Sequence, residues 1–178
     1  MKKLLFLLLL CSFLGLAGCN SKEEAMAEIT EVPCEAAGVN FSLNGLWVIQ
    51  EEIEANSNVN AGQTVVLNTY KEETGSGISI IYDDLTQTEG GTLVRMDDYV
   101  ADVQELLKIS DEFSYSCSEV STEKVYGEEY KVFTTVISEL DGKQKYFIRR
   151  QDDTMIIMVI TVFGEDKIED ILALGKEM

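Results

Sequence analysis

The stretch Met155-Ile-Ile-Met-Val-Ile-Thr-Val-Phe163 decides the fold of this chain. It is rich in β-branched residues, which favour strands. At nine residues it is also far too short to cross a bilayer as a helix. A strand with one solvent-exposed face alternates apolar and polar residues, whereas Met155–Phe163 is apolar at almost every position. We therefore predict a strand in the middle of a sheet that is covered on both faces.

The flanking residues predict antiparallel strand pairs around this strand. Turn signals interrupt runs of β-forming residues at Asn44-Gly45, at Gly75-Ser-Gly77 and at Asp141-Gly142. Antiparallel neighbours can be joined by such short turns, whereas parallel ones need long crossovers. The predicted strands are Phe41–Asn44, Leu46–Ile49, Thr64–Tyr70, Ile78–Tyr82, Phe113–Cys117, Tyr130–Ile137 and Tyr146–Ile148.

Two stretches have helical periodicity. Asp97-Asp98 supply acidic N-terminal residues to the first helix. Gly164 precedes the second, which we expect to end near Gly175. The predicted buried positions are Tyr99, Val100, Val103, Leu106 and Leu107 in the first helix and Ile168, Ile171 and Leu172 in the second. The predicted class is α+β, with a central antiparallel β-sheet sandwiched by helices.

The N-terminus has the order of a secretory signal. Lys2-Lys3 precede the apolar run Leu4–Leu14, and small residues follow. The sequence Leu16-Ala17-Gly18-Cys19 resembles the lipobox of bacterial lipoproteins. That resemblance implies cleavage before Cys19 and lipidation of its thiol. Two acyl chains would hold the chain stably in a membrane. We expect residues 1–18 to be a lipoprotein signal peptide and the protein to sit at the cell membrane, facing outside the cytoplasm.

Residues 19–38 are acidic, poor in large apolar groups and contain the only proline, Pro33. Such a segment buries too little surface to offset its ordering entropy. We predict a flexible acidic spacer there, with lipidated Cys19 at its start. A single globular domain is expected over residues 39–178, because 140 residues suffice for one core.

Composition excludes several classes of function. The chain has no histidine, which removes Ser-His-Asp and Cys-His catalysis and histidine metal sites. Without Lys2 and Lys3 it carries 12 basic and 32 acidic residues, a net charge of −20. Nucleic acid and anionic lipid would be repelled by this charge. No cofactor motif is present, since the Gly75 and Gly77 turn lacks the lysine and spacing of a phosphate loop.

Two cysteines remain after Cys11 and Cys19 are accounted for. Outside the cytoplasm Cys34 and Cys117 could form a disulfide, which would stabilise the fold by about 4–5 kcal/mol. Alternatively, Cys117 points inward from its strand as a reduced, small apolar residue. Both possibilities follow from the sequence.

The carboxylate pairs Asp83-Asp84, Asp97-Asp98 and Asp152-Asp153 are the candidates for acid–base chemistry. Each pair is adjacent in sequence and lies at the end of a predicted element. Adjacent residues of an extended chain point apart, so we interpret these residues as turn and helix-start residues. Asp141-Gly142 lacks EF-hand spacing. No catalytic residue and no metal ligand is assigned.

This order of elements resembles the PsbP/Mog superfamily, including bacterial DcrB-type lipoproteins. The resemblance covers about residues 41–178. The resemblance rests on these segments: Phe41…Gly45-Leu46-Trp47, Asp98-Tyr99-Val100…Leu106-Leu107, Gly127…Tyr130, Asp141-Gly142, the strands Tyr146–Ile148 and Met155–Phe163, and the closing helix. It implies an antiparallel sheet between helical layers, and a binding or assembly factor without enzymatic activity. The chain lacks a proline before Gly45 and ends soon after its last helix.

Three functional hypotheses follow. The first is a lipid-anchored extracytoplasmic module that binds or assembles an envelope protein and is not an enzyme. The second is a calcium- or other cation-binding lipoprotein that uses surface carboxylates. The third, less favoured, is a carboxylate-based hydrolase.

Overall fold

A computed structural model describes residues 26–50 and 62–178. In these ranges the chain forms eleven strands and two helices, with 3-10 turns at Glu35–Ala37, Leu85–Gln87 and Gly91–Leu93. The helices are α1 (Met96–Lys108) and α2 (Ile168–Leu172). The strands are β1 (Ile29–Cys34), β2 (Val39–Asn44), β3 (Trp47–Ile49), β4 (Gln63–Lys71), β5 (Gly77–Asp84), β6 (Tyr115–Cys117), β7 (Ser121–Val125), β8 (Glu128–Ile137), β9 (Gly142–Gln151), β10 (Thr154–Phe163) and β11 (Gly175–Glu177).

The strands form two antiparallel sheets. The large sheet has the order β3-β4-β5-β10-β9-β8-β6, and β7 pairs with the outer edge of β8 beside β6. The small sheet has the order β1-β2-β11. Strand β10, which contains the Met155–Phe163 stretch, is therefore central in the large sheet, as predicted.

Alternate residues of β10 enter two separate cores. Ile156, Met158, Ile160 and Val162 belong to one apolar cluster, and Met155, Ile157 and Val159 belong to the other. Successive side chains of a strand point to opposite faces, so each cluster occupies one face of the sheet. The prediction that β10 is buried on both faces is confirmed.

Different layers cover the two faces. On the Ile157 face, α1 contributes Tyr99, Val100, Val103 and Leu107. On the Ile156 face, the small sheet contributes Val39, Phe41 and Leu43, and α2 adds Ile171. The α+β class with a central antiparallel sheet is confirmed. The covering layer on the Ile156 face, however, consists mainly of a small sheet, with one short helix beside it.

The ordered domain begins earlier in the chain than the predicted spacer, residues 19–38, allowed. The flexible segment was expected to reach residue 38, but β1 pairs with β2 from Ile29↔Asn44 to Cys34↔Val39. Cys34 and Ala37 are buried in the core. The side chains of β1 are mostly exposed, so side-chain burial contributes little to its order. Its order comes from the backbone ladder with β2. Residues 1–25, including the predicted signal peptide and Cys19, lie outside the described residues.

Asn44-Gly45 does not close a hairpin. Strands β2 and β3 belong to different sheets, and this turn carries the chain from the small sheet to the large one. The side-chain oxygen of Asn44 accepts a hydrogen bond from the Leu46 amide at 3.2 Å. Gly175, expected near the end of a helix, begins β11 instead. A turn signal reports a change of direction but does not say which strand pairs with which.

The strands of the large sheet end at two poles. One pole, here called the hairpin pole, comprises residues 44–46, the turns 72–76 and 138–141, and the connection 164–167. The Leu46 carbonyl accepts from the Glu72 amide, and Gly142 lies opposite Phe163 in the ladder. The other pole, here called the cleft pole, comprises residues 84–95, 126–128 and 152–153, where the Leu85 amide donates to the Asp153 carbonyl.

An ion pair joins two parts of the hairpin pole. Lys71 Nζ lies 2.7 Å from Asp166, and Thr74 also donates to Asp166 at 2.7 Å. Burial alone would raise the pKa of Asp166. Hydrogen bonds from Lys71, Thr74 and Ser76 and the charge of Lys71 outweigh that effect, so this pKa lies below its usual value.

We expect Ile157→Ala to lower the free energy of unfolding by about 2–5 kcal/mol, because it opens a cavity between β10 and α1. Urea denaturation measures this change. The matched control is Leu93→Ala, since Leu93 is 83 % exposed and its loss should change stability by less than about 0.5 kcal/mol. Equal effects of the two variants would contradict the two-sided burial.

We expect Asp166→Asn to lower stability at neutral pH by about 1–3 kcal/mol, with Glu165→Gln as the exposed control. The lowered pKa of Asp166 means that its contribution is complete above the unfolded value near 3.9 and is lost as pH falls through the folded value. The difference between the wild-type protein and the variant should therefore shrink below about pH 4 in a pH series of urea melts. A difference that is constant with pH would contradict the ion-pair account.

Candidate functional site

A cleft of about 190 Å³ opens at the cleft pole beside the start of α1. Thr122, Lys131 and Ile148 form one row across β7, β8 and β9 on its floor. It is lined by Met96, Thr122, Glu128, Glu129, Tyr130, Lys131, Ile148, Arg149 and Arg150. The chain has only three arginines, and two of them are here. We call this site the arginine cleft.

Arg150 is held in place by backbone oxygens. Its Nη1 and Nη2 donate to the carbonyls of Val94 and Thr92, each at 2.9 Å, and its Nε donates to the Asp152 carbonyl at 2.7 Å. Asp153 lies 3.3 Å from Nη2. These contacts tie the segment before α1 to the β9–β10 turn. The guanidinium therefore has a fixed position in the cleft wall.

Arg149 follows the alternation of β9 to the opposite face of the sheet. Its Nε donates to the Tyr130 hydroxyl at 3.3 Å, and its Nη2 donates to the Ala36 carbonyl. Tyr130 in turn donates to the Ala37 carbonyl at 3.2 Å. These contacts fix the 3-10 turn that follows β1 against the large sheet. Three of the five N–H groups of Arg149 have no acceptor within the described chain.

Lys131 adds a second positive charge on the Arg150 face. Its Nζ lies 3.1 Å from Asp97, in the first turn of α1, and it forms no other ion pair or hydrogen bond with the described residues. An ammonium has three N–H groups, so two remain for a partner. Glu128 and Glu129 are exposed on the same rim. The cleft thus presents positively charged hydrogen-bond donors and negatively charged acceptors on a rigid framework. Such an arrangement is suited to binding polar groups.

The Tyr130 hydroxyl, which lies on the face of the sheet opposite to the cleft floor, is a hydrogen-bond donor. Burial raises the pKa of Tyr130, and the hydrogen bond and charge of Arg149 counteract only part of this effect. Tyr130 therefore keeps its proton at physiological pH. It donates that proton to the Ala37 carbonyl and accepts the Arg149 hydrogen bond at the same oxygen.

The structure does not bring together Cys34 and Cys117, the two cysteines of the possible disulfide. Cys34 packs in the cluster on the Ile156 face, whereas Cys117 packs against the cluster on the Ile157 face. Both are free thiols. The disulfide alternative is therefore corrected, because the large sheet separates the two side chains. Burial raises the pKa of the Cys34 thiol to about 11, so it is not a nucleophile at neutral pH.

The carboxylate pairs lie at turns and element starts, as their interpretation required. Asp83 is buried and accepts hydrogen bonds from Tyr99 at 2.6 Å and Gln63 at 3.1 Å. Asp84 accepts from the Thr86 amide at the start of a 3-10 turn. In the other two pairs, Asp97 forms an ion pair with Lys131 and Asp153 forms one with Arg150. These four carboxylates have structural roles.

Cys19, the predicted lipidation site, lies outside the described residues. Within residues 26–50 and 62–178, no three cysteine or carboxylate side chains gather closely enough to hold a metal ion. No helix in these ranges combines the length and the apolar character needed to cross a bilayer.

Comparison with known proteins identifies the fold. No family model matches the chain, and no curated protein matches it. The structure is similar to the solution structure of cyanobacterial PsbP (CyanoP) from Synechocystis sp. PCC 6803. The TM-score is 0.56 at 11% sequence identity, over 92% of this chain and 99% of that one. The chain has a PsbP-like fold. The resemblance stated from the sequence is thereby confirmed for the fold.

The sequence reasoning did not find the arginine cleft. Arg149-Arg150 is the only arginine pair in the chain, and it follows the strand residues Tyr146–Ile148. Two adjacent cations at the end of a predicted strand could have pointed to this site. The groups around them could not be predicted, because Ala36, Val94 and Lys131 come near the two arginines only through tertiary packing.

We expect Arg149→Met to lower the free energy of unfolding by about 1–3 kcal/mol, since the buried Tyr130 hydroxyl and the Ala36 carbonyl lose a charged donor. Amide hydrogen exchange should accelerate in residues 29–37, which Arg149 holds against the sheet. Lys143→Met on the same strand is the matched control, because Lys143 is exposed. Unchanged protection in residues 29–37 of the Arg149 variant would show that Arg149 does not fix β1.

Proposed function

We propose that this protein is a bacterial lipoprotein, anchored through Cys19 to the outer side of the cell membrane, that binds or assembles an envelope protein and is not an enzyme. The observation that carries the proposal is the arginine cleft on a PsbP-like fold. Arg150 is fixed there by backbone carbonyls, and Lys131 beside it has two N–H groups for a partner. That arrangement suits the recognition of another polar surface.

The N-terminal sequence supports the anchor. The lysine pair, the apolar run Leu4–Leu14 and Leu16-Ala17-Gly18-Cys19 occur in the order that lipoprotein processing requires. Lipidation would keep the domain at the membrane without a spanning helix. The cation-binding and hydrolase hypotheses have no comparable site in the described part of the chain, because its paired aspartates are engaged in turns and ion pairs.

The partner would be captured with the full-length protein. Cells expressing it would be solubilised in mild detergent, and proteins recovered with the wild-type chain would be compared with those recovered with Lys131→Glu. We expect a specific envelope protein to be enriched at least threefold by the wild-type chain. Identical recovery by both proteins would contradict binding through the cleft.

We expect Cys19→Ser to move the protein from the membrane fraction to the soluble extracytoplasmic fraction and to abolish incorporation of labelled palmitate. A single hydroxyl cannot replace the thiol that lipidation requires. Cys11→Ser is the control, since it lies within the predicted signal and should leave fractionation unchanged. Membrane retention of the Cys19 variant would refute the lipid anchor.

A further inference from the structure

We propose that the outer edge of β7 accepts an extended segment of a partner protein as an additional strand of the large sheet, and that this segment carries a carboxylate opposite Thr122. This inference rests on the proposed function and deepens it, because it says how the envelope partner would be bound beside the arginine cleft.

The β7–β8 hairpin determines which backbone groups of β7 are already used. Its turn consists of Tyr126 and Gly127, both with positive φ, at 49° and 78°. A two-residue turn of this kind is closed by a hydrogen-bonded pair of residues. That pair is Val125 and Glu128. Hydrogen-bonded pairs recur at every second residue of an antiparallel ladder, so the odd-numbered residues of β7 bond to β8.

Thr122 and Lys124 therefore direct their N–H and C=O groups away from β8. Both residues are exposed, and no hydrogen bond from the described chain reaches these backbone groups. Further along the same edge, the Ser118 amide donates to the Thr134 carbonyl at 2.8 Å, as the same alternation in β8 requires. The edge of β7 thus offers two donors and two acceptors to another strand.

The other outer strands in the described ranges are protected against strand addition. Strands β3, β6 and β11 have three residues each. Strand β1 contains Pro33, which has no N–H group. Strand β4, next to β3, is interrupted by a register shift between Val65 and Leu67. Short strands, prolines and bulges are the features that protect sheet edges. Strand β7 has none of them, since its five residues pair with β8 in unbroken register.

The side chains along this edge favour a carboxylate on the added strand. Thr122 and Lys124 lie on the cleft face of the sheet, where Thr122 is the neighbour of Lys131 on the cleft floor. A residue added opposite Thr122 would extend this row. It would have the Thr122 hydroxyl beside it, Lys131 beyond, and Lys124 on the diagonal at about 7–8 Å. Lys124 is exposed and forms no ion pair with the described residues, so it is free to bind a carboxylate.

A second copy of this chain does not fit the edge equally well. In a symmetric pair of β7 strands the outward-facing residues would lie opposite each other, so Thr122 would meet Thr122 or Lys124 of the other copy and no carboxylate. The net charge of −18 also makes two copies repel one another. The same charge favours a partner segment whose residues, apart from the one acid, are neutral.

Binding of a synthetic strand tests the proposal. The probe is an acetylated and amidated nine-residue peptide of serine and threonine with one central glutamate, added at up to about 2 mM to mature full-length protein in mild detergent. We expect the amide hydrogens of Thr122 and Lys124 to exchange with solvent at least fivefold more slowly when the peptide is present. The amides of Ser121 and Glu123, which already bond to β8, are the internal control. Unchanged exchange at Thr122 and Lys124 would overturn the proposal.

Thr122→Pro removes one outward N–H group and none of the bonds to β8, so it should weaken peptide binding at least tenfold. Thr122→Ser keeps the N–H group and the hydroxyl and should bind within twofold of the wild-type protein. A peptide N-methylated on the side that faces β7 has the same charge but cannot donate to the edge, and it tests the same point without altering the protein. Equal binding of the methylated and unmethylated peptides would refute strand addition.

The carboxylate is tested by reversing a charge. The wild-type protein should bind the glutamate peptide at least fivefold more tightly than the same peptide with lysine at its centre. Lys124→Glu should abolish this preference, whereas Lys143→Glu, the same charge change at an exposed residue of β9, should retain it. A preference that persists in the Lys124 variant would refute the assigned carboxylate site.

Capture of the envelope partner separates this inference from the proposed function. A partner that is lost with Lys131→Glu but retained with Thr122→Pro supports the proposed function and refutes strand addition. Peptide binding without any captured partner refutes the proposed function and leaves the edge able to accept a strand. Sedimentation of the wild-type protein should show a monomer. A dimer that Thr122→Pro dissociates would show that a second copy occupies the edge and would overturn the proposal.

Discussion

The structure depends on the burial of β10 on both of its faces. A strand whose side chains are apolar in both directions has no face that it can leave in water. Ile157 and Ile156 are buried on opposite faces of the sheet, so the sheet must lie between two packing layers. Helix α1 supplies the first layer. The small sheet and α2 supply the second, and the rest of the chain is arranged to bring these layers into place.

Strand alternation also explains how one arginine pair serves two purposes. Arg149 and Arg150 are neighbours, so they leave β9 on opposite faces. Arg149 fixes the turn after β1, which belongs to the layer on the Ile156 face. Arg150 fixes the segment before α1, which is the layer on the other face. Both covers are thus fastened to the same point of the sheet. The cleft lies beside the Arg150 attachment, on the face that α1 covers.

The early start of β1 connects the fold to the proposed function. A strand at Ile29 converts half of the expected spacer into part of the domain. The order of this segment comes from its backbone ladder with β2 and from Arg149, since most of its side chains remain exposed. Nine residues then separate the proposed lipid anchor at Cys19 from the start of the domain at Ile29.

The sequence alone determined the α+β class, the doubly buried strand, α1 and the hairpins around Gly75 and Asp141, because these depend on periodicity and turn chemistry within short windows. The tertiary structure decided the rest. Strand β1, β11 and the separation of β2 from β3 depend on pairing between distant residues, which local patterns do not encode. The free state of Cys34 and Cys117 and the arginine cleft depend on which face each strand presents to its neighbours. These features arise only once the chain has packed.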